Sequence, residues 1–382
     1  MRPFALLLAA AATMLAPRAA PASHPPVPQT SVRELQALLD RTVAADPSIP
    51  GVLLRIDAPR SGLHASLASG NIRRGAAQPL RPDQPFRIAS VTKVFVAATA
   101  FRLMERGCFG LFDAIAPLLD PHSAGQLSAA GYRPDLITVQ QLLAHTSGLY
   151  DYASDPAFIA QITRTPRKRW TREEQVAFAM SHGKPVGAPG ERYAYSDTGY
   201  LVLAQIIERC GGGTLPAIVR RELAFDEHGL RSTYFESLEP APAGAPPLAH
   251  QYMGEMDMLG VDASFDLYGG GGLVSTTADL NRFMAALLGG RIFEHPRTLD
   301  AALMTVDAKH SPADHLHANL LTTWGFGRRT CWGHRGFWGT EVLYCPDAEI
   351  RMSFTIDQAE PRDPAALDSL AAAVAAILEP PH

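Results

Sequence analysis

The segment that follows Lys93 is apolar on almost every side of the helix that it would form. It reads VFVAATAFRLM over residues 94–104, and only Thr99 and Arg102 interrupt the run. An α-helix that is apolar all round packs in the interior of a protein. The sequence therefore predicts a central, buried helix around which the other elements are arranged.

A lysine begins this apolar helix and needs a partner there. Lysine is almost never fully buried unless it is paired. Ser90 lies three residues before Lys93, on the same helix face. Because burial disfavours the charged form of an amine, such a lysine can act as a base toward a neighbouring hydroxyl. Ser90 and Lys93 are thus a candidate nucleophile and base, although Ser90 could instead cap the helix N-terminus.

The composition describes an ordinary globular protein with a substantial core. Of 382 residues, 47% are hydrophobic and 19% are charged, and the formal net charge is -4. No long basic tract exists, so we expect no nucleic-acid partner. The glycine run 269–272 lacks the third glycine of a dinucleotide fingerprint. We expect a small-molecule or peptide substrate and no cofactor or metal, whereas the oligomeric state stays open.

The N-terminus has the pattern of an export signal. Arg2 precedes an apolar run over residues 4–15, which is too short to span a bilayer. Ala20 and Ala22 fit the small-x-small pattern of a cleavage site. We predict a signal peptide at 1–22, a periplasmic or secreted mature protein, and no stable membrane span after cleavage. An uncleaved membrane anchor is the alternative.

Four cysteines are too few for a disulfide scaffold in a chain of this length. None of them has metal-ligand spacing, and our interpretation is that they are free, buried thiols. Cys331 and Cys345 flank a predicted β-hairpin and could form a bridge across it. Cys108 and Cys210 both follow helical segments, and the sequence gives no pairing for them.

Strand patterns at both ends of the chain enclose a helical middle. Strands are predicted at 51–58 and 63–69, and four more between residues 321 and 356. Capping boxes at 31–34 and 171–174 predict two helix starts. The pattern favours an α/β fold in which one antiparallel sheet is built from both chain ends, flanked by helices, with a mainly helical insert.

Two short motifs follow the Ser90 helix in the sequence. The first is Tyr195-Ser-Asp197, and the second is His334-Arg-Gly336. With Ser-x-x-Lys, these ordered motifs resemble those of the serine hydrolase family that contains class C β-lactamases, D-Ala-D-Ala carboxypeptidases, D-aminopeptidases and related esterases. The resemblance covers roughly residues 49–378.

The resemblance implies a β-lactamase/transpeptidase-like fold and a division of the chain. One catalytic domain at 23–382 would consist of a sheet subdomain, from 23–81 and 297–382, and a mainly helical subdomain at 82–296. A His-Thr-Ser-Gly stretch at 145–148 is a family signature that would support the site from behind.

The resemblance also implies roles for individual residues. Ser90 would attack an acyl carbon and form an acyl-enzyme, with Lys93 and Tyr195 sharing the proton transfers. The backbone N–H groups of Ser90 and Phe337 would form the oxyanion hole. The side chains of Asp197 and His334, together with Gly336, would line the substrate site.

One position departs from the family pattern, and a second distinguishes between members of the family. The family has an asparagine where this chain has Asp197, and an ionised aspartate only accepts hydrogen bonds. Asp197 could pair with Lys93 and work against its role as a base, or bind a substrate cation or amide N–H. Histidine at position 334, in place of lysine, points away from class C β-lactamases and toward peptidase-like or esterase-like members.

The resulting expectation is an exported serine hydrolase for D-amino-acid peptides, of the D-Ala-D-Ala carboxypeptidase or D-peptidase type. The alternatives are an esterase or a β-lactamase of the same family. A catalytically weak protein that binds β-lactams or cell-wall peptides is the rival from another class.

Overall fold

The computed structural model describes residues 29–306 and 316–378, so the predicted signal peptide at 1–22 lies outside the described residues. The helices are α1 Gln29–Ala45, α2 Thr92–Glu105, α3 Pro121–Ala129, α4 Val139–Leu143, α5 Pro156–Arg164, α6 Arg172–His182, α7 Asp197–Gly211, α8 Leu215–Glu222, α9 Thr277–Leu288, α10 Pro296–Ala302 and α11 Ala366–Leu378. The strands are β1 Gly51–Ala58, β2 Leu63–Gly70, β3 Phe86–Arg87, β4 Tyr234–Phe235, β5 Tyr252–Met253, β6 Met256–Asp257, β7 Leu273–Ser275, β8 Thr322–Phe326, β9 Arg329–Gly336, β10 Thr340–Cys345 and β11 Ile350–Thr355.

The main sheet has six strands in the order β2-β1-β11-β10-β9-β8. All neighbouring strands run antiparallel, and Leu53 of β1 lies opposite Thr355 of β11. The predicted antiparallel sheet built from both chain ends is therefore confirmed. Its proposed division into a sheet subdomain and a helical subdomain stays a prediction.

Helices cover both faces of this sheet, because successive side chains of a strand point to opposite faces. Val52, Leu54 and Ile56 of β1 pack in one hydrophobic cluster with residues of α1 and α11. Leu53, between them, belongs instead to the large cluster formed by α2, α7 and α9. The near-continuous apolar sequence of β1 follows from this two-sided burial.

Helix α2 occupies the centre of the molecule, as its sequence predicts. Twelve of its fourteen residues are buried, including Lys93 and Arg102. It packs against α7, α8 and α10. Phe95 stacks on Phe283 of α9 with ring centroids 3.7 Å apart. Lys93, in the first turn of α2, is consequently held in rigid surroundings.

One of the two predicted capping boxes is correct. Thr171 accepts a hydrogen bond from the Glu174 amide, and the Glu174 carboxylate accepts one from the Thr171 amide, so α6 begins where predicted. The other prediction is wrong. Helix α1 begins at Gln29, which places Ser31 inside the helix and buries it.

The interpretation of the cysteines as free thiols is also wrong. Cys331 and Cys345 are bonded to each other across the β9–β10 pair. Cys108 and Cys210 form the second disulfide, with Cα atoms 6.1 Å apart. Helices α2 and α7 pack together, and each ends near one of these two cysteines, which brings the pair within bonding distance.

None of the described helices combines the length and the hydropathy that a membrane crossing requires.

We predict that the Cys108→Ala/Cys210→Ala double variant loses about 2–4 kcal/mol of unfolding free energy, because this disulfide links residues 102 positions apart and restricts the unfolded chain. Because Cys108 is exposed, its replacement by alanine leaves no cavity in the core. The loss of unfolding free energy at this position therefore comes from the missing disulfide. Urea unfolding under oxidising conditions measures the change. Addition of a reductant to the wild-type protein is the parallel control, and an unchanged midpoint in the double variant would contradict the prediction.

Candidate active site

Ser90 lies in a single 3₁₀ turn, Ala89–Val91, that leads directly into α2. Ala89 has φ 45°, a left-handed conformation that non-glycine residues seldom adopt. Strand β7 holds the turn from both sides. The Ile88 amide donates to the Leu273 carbonyl at 3.0 Å, and the Leu273 amide donates to Thr92 Oγ1 at 3.2 Å. Such strain persists only where the surroundings fix the backbone.

Arg87, two residues before this turn, is anchored by a partly buried ion pair. Arg87 donates two hydrogen bonds to the Glu236 carboxylate, at 2.7 and 2.9 Å. The Gln251 side chain accepts from the Arg87 amide at 3.1 Å and donates to the Arg87 carbonyl at 2.9 Å. A bidentate pair of this kind fixes geometry as well as charge. The position of Ser90 therefore depends on segments more than 140 residues away in sequence.

The Lys93 side chain is 1% exposed and has three polar neighbours. Its Nζ donates to Ser90 Oγ at 2.9 Å and to the Gly270 carbonyl at 2.6 Å. It also forms an ion pair with the Asp197 carboxylate. The three N–H groups of an ammonium are thereby matched to three acceptors. Of the two possibilities for Asp197, the structure shows the pairing with Lys93.

The glycine run at 269–272 forms a loop that approaches Lys93 closely. A Cβ at position 270 would overlap Asp197 Oδ1, and a Cβ at position 271 would overlap the Asp266 carboxylate. Only glycine leaves space for both carboxylates. The loop therefore supplies a carbonyl acceptor to Lys93 that no short motif indicates.

Tyr195 reaches Ser90 from the side opposite to the glycine loop. Its hydroxyl donates to Ser90 Oγ at 2.8 Å. Burial, reinforced by the nearby charge of Asp197, raises the pKa of the phenol well above its ordinary value. Tyr195 therefore keeps its proton at neutral pH. Ser196 caps α7 by accepting from the Gly199 amide at 3.2 Å, which fixes the backbone between Tyr195 and Asp197.

His145 supports Tyr195 from behind. The two rings stack with centroids 4.2 Å apart, and His145 Nδ1 accepts a hydrogen bond from the Ser196 amide at 3.2 Å. Burial lowers the pKa of His145 well below its ordinary value, and the neighbouring His317 and Lys93 act in the same direction. The imidazole is thus neutral, with Nδ1 unprotonated.

Two further carboxylates, Asp151 and Asp266, lie partly buried near Asp197, and neither is predicted from the sequence. Asp151 Oδ1 accepts from the Asp197 amide at 2.9 Å. Burial and the charge of Asp197 raise the pKa of Asp151 to about 6 and that of Asp266 to about 7. Neither residue belongs to a recognisable motif. Their only sequence signal is proximity: Asp151 lies shortly after the 145–148 stretch, and Asp266 shortly before the glycine run.

Strand β9 forms the wall opposite the lysine. Gly336 lies so close to the Ile88 carbonyl that a Cβ there would overlap it, which brings β9 against the serine turn. His334 is buried, and its Nδ1 donates to the Arg335 carbonyl at 2.7 Å. Phe337 follows the strand, and its side chain is 51% exposed.

The geometry unites the predicted residues in one place. Ser90, Lys93, Tyr195 and Asp197 make direct contacts, and the β9 residues line the adjoining wall. Among the described residues, no group of three or more His, Cys, Asp or Glu side chains is arranged to hold a metal.

Comparison with known proteins places this arrangement in a family. The family model described as Beta-lactamase matches residues 39–377. Penicillin-binding protein 4* of Bacillus subtilis (strain 168) is 26% identical over 68% of this chain and 56% of that protein. Esterase EstB of Burkholderia gladioli is 33% identical over 47% of this chain and 45% of that protein. The chain spans about half the length of these two curated relatives.

The fold has counterparts among solved structures. D-amino acid amidase from Ochrobactrum anthropi SV3, in complex with D-phenylalanine, superimposes with a TM-score of 0.77 at 23% identity, covering 92% of this chain and 99% of that one. At this identity the likeness concerns the fold alone. The family match extends over most of the sequence and includes the three motifs of the site. The chain belongs to the beta-lactamase family of serine hydrolases.

Proposed function

We propose that this protein is an exported serine hydrolase that forms an acyl-enzyme at Ser90 and acts on D-amino-acid peptides or amides. One observation carries the proposal: Lys93 Nζ and the Tyr195 hydroxyl lie 2.9 and 2.8 Å from Ser90 Oγ. Both distances are within the range for proton transfer to or from a nucleophile. A buried lysine that meets a partly buried tyrosine at one serine is costly to maintain without a chemical use.

The contacts suggest a route for each proton. Lys93 passes one proton to the Asp197 carboxylate, and the neutral amine takes the proton of Ser90 as Oγ adds to the acyl carbon. Tyr195 donates its proton to the leaving group and is reprotonated by Lys93. The proton held by Asp197 then returns to Lys93. Water, activated by the same pair, releases the acyl group from Ser90.

The oxyanion hole is assigned to the backbone N–H groups of Ser90 and Phe337. The close approach of Gly336 to the Ile88 carbonyl supports this assignment, because it brings the end of β9 beside the serine turn. Two N–H groups fixed by a turn and a strand are preorganised for the charge of a tetrahedral intermediate. Removal of either would require a backbone change, so side-chain variants leave the hole intact.

Asp197 and His334 support D-amino-acid derivatives as the substrate class. A carboxylate beside the nucleophile attracts the free ammonium group of an amino-acid derivative, and the amidase with a similar fold is named for D-amino acids. Histidine in place of lysine on β9 weakens the attraction for a carboxylate above neutral pH. The relative named as an esterase favours simple esters as a second candidate, and the exposed Phe337 ring offers an apolar contact for them.

Export is supported by two features of the chain. The apolar run at 4–15 is followed by a small-x-small cleavage pattern. Both cysteine pairs are oxidised in the structure, which suits a periplasmic or secreted protein, since cytosolic thiols are kept reduced.

Replacement of the nucleophile tests the catalytic assignment. We expect Ser90→Ala to lower kcat at least about 10⁴-fold, because the acyl-enzyme can no longer form. Intact-protein mass spectrometry should show an adduct on the wild-type protein, and none on the variant, after mixing with a penicillin, a D-Ala-D-Ala peptide and an aryl ester. Ser128→Ala, on the exposed surface of α3, is the control. If the wild-type protein binds these compounds but forms no adduct and shows no turnover, the protein is instead a catalytically weak binder of β-lactams or cell-wall peptides.

Stereochemistry tests the substrate assignment separately. We expect kcat/KM for D-phenylalanine amide to exceed that for the L-enantiomer by about 100-fold or more, since one misplaced polar contact in a closed site costs that much. The same assay on 3-phenylpropanamide, the amide that lacks the amino group and the stereocentre, measures the contribution of the ammonium. An aryl acetate hydrolysed faster than every D-amide would favour the esterase assignment.

Removal of the carboxylate beside Lys93 tests the proton route. In Asp197→Asn the Lys93 amine loses the carboxylate that accepts its proton, so kcat/KM should fall about 100-fold or more. Activity on a neutral aryl ester should fall by a similar factor, because the loss does not depend on the charge of the substrate. Asp135→Asn removes the same charge from the surface and should leave kcat/KM unchanged. An Asp197→Asn variant as active as the wild-type protein would show that Asp197 takes no proton from Lys93.

A further inference from the structure

The face of the main sheet that lies under α9 becomes charged at one end. His64, Asp57 and Arg351 are direct cross-strand neighbours on β2, β1 and β11, so their side chains share this face. Arg55 lies on the same face, two residues before Asp57. The other face of β1 is wholly apolar at these positions. Charges on the inner side of a sheet are costly and call for a specific use.

The base of this charged region is fully hydrogen-bonded. The Asp57 carboxylate accepts from Arg55 at 2.9 and 2.7 Å, from Asn281 of α9 at 2.8 Å, and binds His64 Nδ1 at 2.8 Å. Although burial alone would raise the pKa of Asp57, these hydrogen bonds outweigh it and hold the pKa well below its ordinary value. Asp57 is thus ionised and saturated, and Arg55 and His64 share its single carboxylate.

A cavity of about 380 Å³ opens above this base, between β1, β11 and the C-terminal half of α9. The small side chain of Ala285, one turn after Asn281, leaves the space free on the helix side. Four of its ten lining residues are arginines, and they come from two strands, the helix and the loop that follows it: Arg55, Arg351, Arg282 and Arg291. The lining also includes the carboxylates of Asp57 and Glu227, so the arginines outnumber the acidic groups two to one.

Two of these four arginines are uncompensated. Arg282 pairs with Asp279 at 2.6 Å, as Arg55 does with Asp57. Arg291 and Arg351 make no ion pair with any residue of the described ranges. Arg351 Nε is buried and has no hydrogen-bond partner there. A buried guanidinium donor without an acceptor indicates a ligand that supplies one.

We propose that this cavity binds a phosphate group, held by Arg351 and Arg291. A guanidinium fork matches two oxygens of a phosphate, and a tetrahedral phosphate offers further oxygens to a second arginine approaching from another element. Carboxylates offer only two oxygens in one plane, which suits a single fork. The cavity shares no lining residue with the Ser90 site, so phosphate binding is a property separate from hydrolysis.

Titration of the full-length protein with inorganic phosphate, followed by ³¹P NMR line width at low ionic strength, tests the proposal. We expect saturable binding, and a Kd about 10- to 100-fold weaker in Arg351→Gln, because a charge-assisted hydrogen bond is lost. Arg41→Gln removes one exposed positive charge from α1, on the other face of the sheet, and should bind like the wild type.

Further variants keep the test decisive if Arg351→Gln does not fold. Arg291 lies in a loop, where a substitution is less disruptive, and Arg291→Gln should weaken phosphate binding by a similar factor. Equal Kd values for Arg41→Gln and both cavity variants would overturn the proposal, as would the absence of saturable binding. Loss of binding only in His334→Gln would place the phosphate in the Ser90 site and also overturn it. Acetate that competes as well as phosphate at equal concentration would contradict the phosphate assignment.

Discussion

One buried ammonium group organises the centre of this protein. Lys93 lies in the first turn of α2, a largely apolar helix, and an unpaired charge in that position would cost several kcal/mol. Ser90, the Gly270 carbonyl and Asp197 satisfy it, and they come from three separate parts of the chain. The α2 turn, the glycine loop and the start of α7 must therefore meet for the interior to be stable. Assembly of the site and packing of the core are the same event.

Short-range patterns account for the elements that the sequence predicts correctly. The strand patterns at 51–58 and 63–69 predict β1 and β2. The Thr171 capping box predicts the start of α6, because both of its hydrogen bonds form between residues three apart. The same reasoning is wrong at Ser31, where the helix has already begun. A capping sequence specifies which hydrogen bonds are possible but not whether the preceding residues leave the helix.

The sequence patterns do not predict contacts between distant segments of the chain. The motifs indicate Ser90, Lys93 and Tyr195 individually, yet the orientation of Asp197 toward Lys93 depends on how α7 meets the glycine loop. The Cys108–Cys210 bond likewise depends on the packing of α2 against α7. The charged sheet face escapes a periodicity search as well, since Arg55 and Asp57 read as ordinary exposed positions of an amphipathic strand.

The strand order of the main sheet has a consequence for how the chain folds. Strand β11 lies between β1 and β10, and Leu53 of β1 pairs with Thr355 of β11. The N-terminal and C-terminal parts of the sheet therefore cannot join until β11 has been added. Until then β1 and β2 form an isolated hairpin, which is marginal in water, with an apolar edge open to other chains. Pairing over such a sequence separation is slow, because the entropy of closing the intervening chain is lost before contacts form. The helical middle can become compact before that, so a growing chain carries an open sheet edge for most of its synthesis.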